Sequence, residues 1–220
     1  MGRIFAIGDI HGCCNTFKVL LRDKIRIQKE DSIYCVGDYI DRGPDSKGVI
    51  DHILQLKEDG YQVYTLRGNH EQMILDAPGD DFSLQMWLNN GGKQTLKSFG
   101  VHHVEEIPSL YVSFFSKTEL FIHTGDHIFV HAGLNFQHTD IFQDQHAMLW
   151  IRTYNDHQPL LQNMILIHGH TPQTLEYILA QNGNCINIDG GCVYNGDGVY
   201  GNLVALNVME KKFVWVENCD

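Results

Sequence analysis

Arg3-Ile4-Phe5-Ala6-Ile7 runs directly into Gly8-Asp9-Ile10-His11-Gly12. The first five residues read as a short strand, and the next five as a polar, glycine-bounded strand end. The same order recurs twice. A strand-like run from Ser32 to Val36 delivers Gly37-Asp38-Tyr39-Ile40-Asp41-Arg42-Gly43, and one from Gln62 to Leu66 leads to Gly68-Asn69-His70-Glu71. Helical patterns lie between them, from Thr16 to Arg26 and from Ser46 to Glu58, and a further helix starts after Asn69. This β-α-β-α-β alternation predicts parallel strands joined by crossover helices, a fold that gathers its ligands at the carboxyl ends of the strands.

Residues 81–117 read as mostly helical, with amphipathic spacing at Leu84, Trp87 and Leu88 and again at Leu110 and Phe114, and are expected to cap one face. From Leu120 the pattern turns to short β-rich runs: Leu120 to His123, His127 to Val130, Met164 to Ile167, Tyr177 to Leu179, Cys185 to Ile188, Leu203 to Val208 and Phe213 to Val216. Thr124-Gly125-Asp126 and Asn182-Gly183-Asn184 read as hairpin turns. An α/β half followed by a β-rich half predicts two packed sheets flanked by helices. With no repeat, low-complexity segment or linker, residues 1–220 are read as one domain. Two more strand ends carry histidine: Val130-His131-Ala132-Gly133 and Ile167-His168-Gly169-His170-Thr171.

Composition narrows the function. Sixteen Lys+Arg against 27 Asp+Glu give a net charge of −11 with no basic run, which disfavours a nucleic-acid partner. No stretch approaches the roughly 18 consecutive apolar residues of a membrane span. The first residues lack the zones of a signal peptide, and Ala6 stands where a myristoylation motif needs Ser or Thr, so a cytoplasmic protein without membrane association is expected. The six cysteines form no C-x-x-C pair and read as buried thiols.

Metal chemistry is what the strand ends share. Asp9 and His11 stand two apart, so both can face one way from an extended segment. A mixed oxygen and nitrogen set suits Mn²⁺, iron or Zn²⁺ better than Ca²⁺. Asp38 has two oxygens with which to bridge two ions, Asn69 offers a neutral oxygen, and His131 and His170 offer nitrogens. His168, which terminates its strand, is the alternative to His170.

Together these clusters resemble the phosphoprotein phosphatase family of calcineurin-like metallophosphoesterases, in its bacterial and phage branch, whose signatures G-D-x-H-G, G-D-x-x-D-R-G and G-N-H-E are all intact. Trp150-Ile151-Arg152, Gly169-His170-Thr171 and Asn187-Ile188-Asp189-Gly190-Gly191 extend the resemblance over nearly the whole chain. It implies the calcineurin-like fold, two packed mixed β-sheets flanked by helices. It implies two divalent metal ions, Mn²⁺ first with iron or zinc as alternatives. Asp9, His11 and Asp38 would hold the first ion, and Asp38, Asn69, His131 and His170 the second. His70 would be the proton donor, held by Asp41, and Arg42, Arg67 and Arg152 would bind the substrate phosphate, for which a guanidinium's planar fork is suited.

The implied reaction is hydrolysis of phosphoserine and phosphothreonine, with phosphotyrosine as a further class, by direct attack of a hydroxide bridging the two ions. Partners would be phosphorylated proteins or peptides and small phosphoesters. Cysteine-based catalysis is excluded, since no cysteine here begins a C-x5-R motif. Two other readings compete: a dinucleoside tetraphosphate hydrolase, against which Asp41 and Glu71 speak, and a catalytically silent scaffold, which would have lost ligands this chain retains. Asp189-Gly190-Gly191-Cys192 stands where eukaryotic members carry a tyrosine-containing loop, so a more open site and broad specificity are expected. Asn89-Asn90-Gly91-Gly92 is read either as cleft lining or as a helix-capping turn, and Trp87 and Trp150 as core.

Overall fold

The computed structural model describes residues 2–152, 157–194, 196 and 198–220. In chain order the first elements are β1 (Ile4–Ile7), α1 (Cys14–Val19), β2 (Ser32–Cys35), α2 (Ser46–Glu58), β3 (Gln62–Thr65), α3 (Asn69–Asp76), α4 (Asp81–Trp87), α5 (Lys93–Phe99) and α6 (Ser109–Ser116). They are followed by β4 (Phe121–Thr124), β5 (His127–Val130), α7 (Gln145–Trp150), β6 (Ile165–His168), α8 (Leu175–Ala180), β7 (Cys185–Asn187), β8 (Asn202–Asn207) and β9 (Lys212–Glu217).

One sheet has the order β3-β2-β1-β8-β9 and the other β4-β5-β6-β7. Both are mixed: β1, β2 and β3 run parallel, β8 lies antiparallel beside β1 and β9 antiparallel to β8, and β5, β6 and β7 run parallel with β4 antiparallel at the edge. The α/β layers expected from the alternation of patterns are those observed.

Two-residue periodicity explains the layering. In β1 and β2, Phe5, Ile7, Ile33 and Cys35 face α1 and α2 and pack on Phe17, Ile50 and Ile53. Ala6, Tyr34 and Val36 point the other way, onto Phe129, Ile167 and Ile186 of the second sheet. Tyr34 stacks on Phe129 with ring centroids 4.1 Å apart. The far face of the second sheet is covered by Met148 of α7 and by Leu161. Each fully buried Ile or Phe contributes about 1.5–3 kcal/mol, so these two interfaces hold the strand ends in place.

Several expectations need correction, among them the hairpin at Asn182-Gly183-Asn184, which instead joins a helix, α8, to β7. Tyr177 to Leu179 is not a strand: it lies in α8, because the Thr174 hydroxyl accepts a hydrogen bond from Tyr177 N at 3.1 Å and caps a helix that buries Ile178. The helix expected from Thr16 starts at Cys14 and continues as a π-helical segment, Leu20–Ile25, that ends at Arg26 with φ 53°. Cys13, Cys14, Cys35 and Cys192 are buried as read, whereas Cys219 is exposed. Among the described residues no helix is long and apolar enough to cross a membrane.

The register of β1 against β2 is fixed at its open end by Asp31, 2% exposed. Its carboxylate accepts from Arg3 N, Nε and Nη2 at 2.9, 3.1 and 2.6 Å and from Gln28 N at 2.9 Å. Burial pushes this carboxyl up, but the bonds from Arg3 and Gln28 outweigh it and hold Asp31 below the usual carboxylate range. A group lowered on folding stabilises the protein above its unfolded value, about pH 4, and loses that contribution as pH falls through its folded value. Asp31→Asn should therefore cost about 2 kcal/mol at pH 7. Thermal melts from pH 7 to 3 should show the gap from wild type closing below about pH 4; a gap constant with pH would refute the assignment.

Candidate metal centre

The loops after β1, β2, β3, β5 and β6 are sewn to one another. Asp38 O accepts from Ile10 N and His11 N at 3.1 and 2.8 Å, and His131 O accepts from Gly169 N at 2.8 Å. Glu71 ties the second loop to the third: its carboxylate accepts from Asp38 N, Tyr39 N and Gly68 N at 2.8, 2.9 and 2.9 Å. Burial and the nearby Asp38 push Glu71 up to about 8, with the three N–H donors pulling against them. Gly169 is demanded by close approach, since a Cβ there would lie 2.0 Å from Asp9 Oδ1.

Asp9, His11, Asp38, Asn69, His131 and His170 converge, and all are buried. His11 donates its Nδ1–H to Ile40 O at 2.8 Å and His131 donates its own to Val36 O at 3.0 Å, so each presents its Nε2 lone pair inward. Asp38 stands between them, Oδ2 3.4 Å from His11 Nε2 and Oδ1 3.5 Å from His131 Nε2. Asn69 Oδ1 lies 2.9 Å from both His131 Nε2 and His170 Nδ1. His170 N donates to Asp9 Oδ2 at 3.0 Å. His168 instead lines a cavity of about 90 Å³ with Thr171, Gln181 and Asn187.

This donor set fits divalent cations. Two groups, His11 with Asp38 and His70 and Asp38 with His131 and His170, each place potential ligand atoms within 4.8 Å of one another. Asn69 Oδ1 and His131 Nε2 are both acceptors, and a shared cation relieves their repulsion. Asp9 Oδ1 and His170 Nε2 are buried without a protein partner. Charge points the same way: burial keeps His11 and His131 below the usual imidazole value and takes His170 down to about 2. Burial, with Asp189 and Asp38 nearby, raises Asp9. Buried carboxylates among neutral imidazoles have the guanidinium charges of Arg42 and Arg152 near them, and a cation supplies the further positive charge they need.

His70 lies beside this cluster. Its Nδ1 donates to Asp41 Oδ2 at 2.6 Å, and its Nε2 is buried without a protein partner, 4.0 Å from Asp38 Oδ2. Of the arginines, Arg42 places Nη1 2.5 Å from His11 Nε2, and Arg152, exposed at the rim, donates to His170 O at 3.4 Å. Arg67 is not brought into the cluster. Its guanidinium donates to Thr118 Oγ1 at 3.2 Å, Gln72 Oε1 at 3.1 Å and Ser116 O at 2.9 Å.

Reading the sequence missed several contributors. Trp87 is buried, as expected of core, yet its indole N–H donates to Asp41. Thr95 also donates to Asp41 and carried no sequence signal. Asp189 is a buried carboxylate beside the cluster, pushed up to about 7 by burial and Asp38 against the pull of Gly191 N–H, Arg42 and Arg152; the sequence signal for it is the strand-end Asp189-Gly190-Gly191. Backbone geometry marks the same place: His11, Asp38, Asp41, Arg42 and His170 all have φ between 46° and 71°, a region non-glycine residues occupy at a cost of about 1–3 kcal/mol each.

A family model described as calcineurin-like phosphoesterase matches residues 2–203, and the chain belongs to that family of metal-dependent phosphoester hydrolases. It is 31% identical over 201 residues to serine/threonine-protein phosphatase 1 of Salmonella typhimurium, covering 88% of each chain, which supports the phosphoprotein phosphatase branch. It is also 26% identical over 245 aligned positions to an asymmetrical bis(5'-nucleosyl)-tetraphosphatase of Oceanobacillus iheyensis, covering 97% of this chain and 92% of that one. Among solved structures, a protein serine/threonine phosphatase from Saccharomyces cerevisiae superposes with TM-score 0.69 at 16% identity, over all of this chain and 81% of that one, a likeness of fold.

The Glu71 clamp is testable apart from activity. Glu71→Gln turns an acceptor into an N–H₂ facing backbone donors, so urea titration should show a loss of about 2–3 kcal/mol. A change within about 0.5 kcal/mol would show that the clamp holds nothing.

Proposed function

We propose that this chain is a metal-dependent phosphoprotein phosphatase that hydrolyses phosphoserine and phosphothreonine monoesters, with phosphotyrosine as a further class. The observation that carries the reading is the buried His70–Asp41 pair, whose free Nε2 faces the metal-ligand cluster. Asp9, His11 and Asp38 would hold one divalent ion, and Asp38, Asn69, His131 and His170 a second, with Mn²⁺ first and iron or zinc as alternatives. Such a pair of ions, when bound, acidifies a water and offsets the charge of the phosphoryl group.

The chain's own groups do the rest. Arg42, at the edge of the cluster, and Arg152, at its rim, offer guanidinium forks to phosphoryl oxygens; Arg67 would join them only once freed from the 116–118 turn. His70 Nε2 delivers a proton to the leaving oxygen, and Asp41 stabilises the imidazolium that gives it. The buried ligands exclude bulk water and strengthen each charge interaction.

The tetraphosphatase reading stays in contention because of the Oceanobacillus relative. Against it stands the cleft of about 350 Å³ that adjoins Arg42, lined by Asn89, Asn90, Gly91, Gln94, Val193 and Tyr194. Its described lining has amides, an aromatic ring and Arg42 as its cation, which suits a peptide better than a polyphosphate chain.

The deciding experiment compares p-nitrophenyl phosphate, a phosphothreonine peptide and diadenosine tetraphosphate as substrates of chelator-treated protein before and after adding Mn²⁺. Manganese-dependent release from the monoesters is expected, with His70→Asn lowering kcat about 10²–10⁴-fold and Asp38→Asn abolishing metal activation. Preference for the dinucleotide would replace this reading by the runner-up, and no turnover with any divalent metal would leave only the scaffold.

A further inference from the structure

Asp41 is buried and surrounded by donors. Besides His70, Trp87 Nε1–H reaches Oδ1 and Oδ2 at 3.1 and 3.0 Å, and the Thr95 hydroxyl donates to Oδ1 at 2.6 Å while accepting from Asp41 N at 2.9 Å. Eight residues of a continuous helix rise about 12 Å, too far for both ends to touch one carboxylate. Here α4 ends at Trp87, a π-helical segment, Leu88–Gly92, intervenes, and α5 begins at Lys93. Gly91 makes the kink with φ 117°, and a Cβ there would lie 2.6 Å from Arg42 N. The kink folds Trp87 and Thr95 onto the same side chain and seats the turn against the loop that bears it.

We propose that Trp87 and Thr95 are positioning residues for proton delivery to the leaving group, acting through Asp41 on His70. This rests on the reading of His70 as the proton donor. Three side chains donate to Asp41, so its oxygens act as acceptors and the carboxylate cannot turn without breaking a buried bond. His70, bonded through Nδ1, is thereby aimed with Nε2 at the reacting centre. In the step served, oxygen from water forms the new bond to phosphorus, and the bond to the leaving oxygen breaks with its electron pair on that oxygen. The leaving oxygen takes the Nε2 proton of the imidazolium, and the proton released by the water restores that charge through solvent. Asp41 keeps its bond to Nδ1 throughout.

An oriented proton donor matters most when the leaving oxygen is basic. The test compares phenyl phosphate, a poor leaving group, with 2,4-dinitrophenyl phosphate, a good one, on the manganese-loaded protein and its Thr95→Val, Thr95→Ser, Trp87→Phe and His70→Asn variants. Thr95→Val and Trp87→Phe should each lower the ratio of kcat for the phenyl ester to kcat for the dinitrophenyl ester by about tenfold or more, the loss falling on kcat rather than KM, and Thr95→Ser should restore it. Equal losses on both esters, or none on either, would overturn the proposal and leave these side chains a packing role. If His70→Asn itself shows no dependence on the leaving group, the proton-donor reading fails and this proposal with it; dependence in His70→Asn without it in the other variants refutes the positioning role alone. Should Trp87→Phe fail to fold by circular dichroism, the Thr95 pair decides.

Discussion

Burying several carboxylates in one place is the constraint on which the rest of this structure depends. Asp9, Asp38 and Asp189 are each at most 3% exposed, and burial that depresses the neighbouring imidazoles removes the protons that could have balanced them. A protein without a use for this arrangement would be more stable with apolar groups of similar size. Cations resolve the imbalance, and the bonds from His11 Nδ1 to Ile40 O and from His131 Nδ1 to Val36 O make sense in that light: each keeps a lone pair, rather than a proton, directed at the carboxylates. The site is built as a set of acceptors before any ligand enters.

Holding acceptors against one another requires a stiff frame. Two sheets supply it by presenting the carboxyl ends of β1, β2 and β3 from one side and of β5 and β6 from the other, with Tyr34, Phe129 and Ile167 packed between them. Loop-to-loop bonds then remove the remaining freedom, above all those to Glu71, which joins the loop of Asp38 to the loop of Asn69 and His70. The left-handed backbone at His11, Asp38, Asp41, Arg42 and His170 is the strain such a frame sustains, and it falls on the cluster and the loops that border it.

Much of this was legible in the chain because it is local. Strand ends announce themselves through short apolar runs followed by glycine and a polar residue, so the positions of Asp9, Asp38, Asn69, His131 and His170 are legible in the sequence alone. Tyr177 to Leu179 misled because a short apolar run carries no period of its own; the deciding signal was Thr174 as a cap, one residue before the helix. Arg67 could be seen to adjoin the site, but its bonds to Ser116 and Thr118 span about fifty positions and leave no trace in local pattern.

Trp87 and Thr95 show the limit most clearly. Each looks ordinary alone, an aromatic on a core-facing helix and a hydroxyl on an amphipathic one. What gives them meaning is the break between their helices, where Asn89-Asn90-Gly91-Gly92 was read as either cleft lining or turn and serves as both: Asn89 and Asn90 line the cleft beside Arg42, while Gly91 lets the chain fold back. One segment therefore brings Trp87 and Thr95 to Asp41 on its inner side and borders the cleft beside Arg42 on its outer side. A change in the shape of this turn moves the cleft lining and the donors to Asp41 together, because both hang on the backbone of the Leu88–Gly92 break.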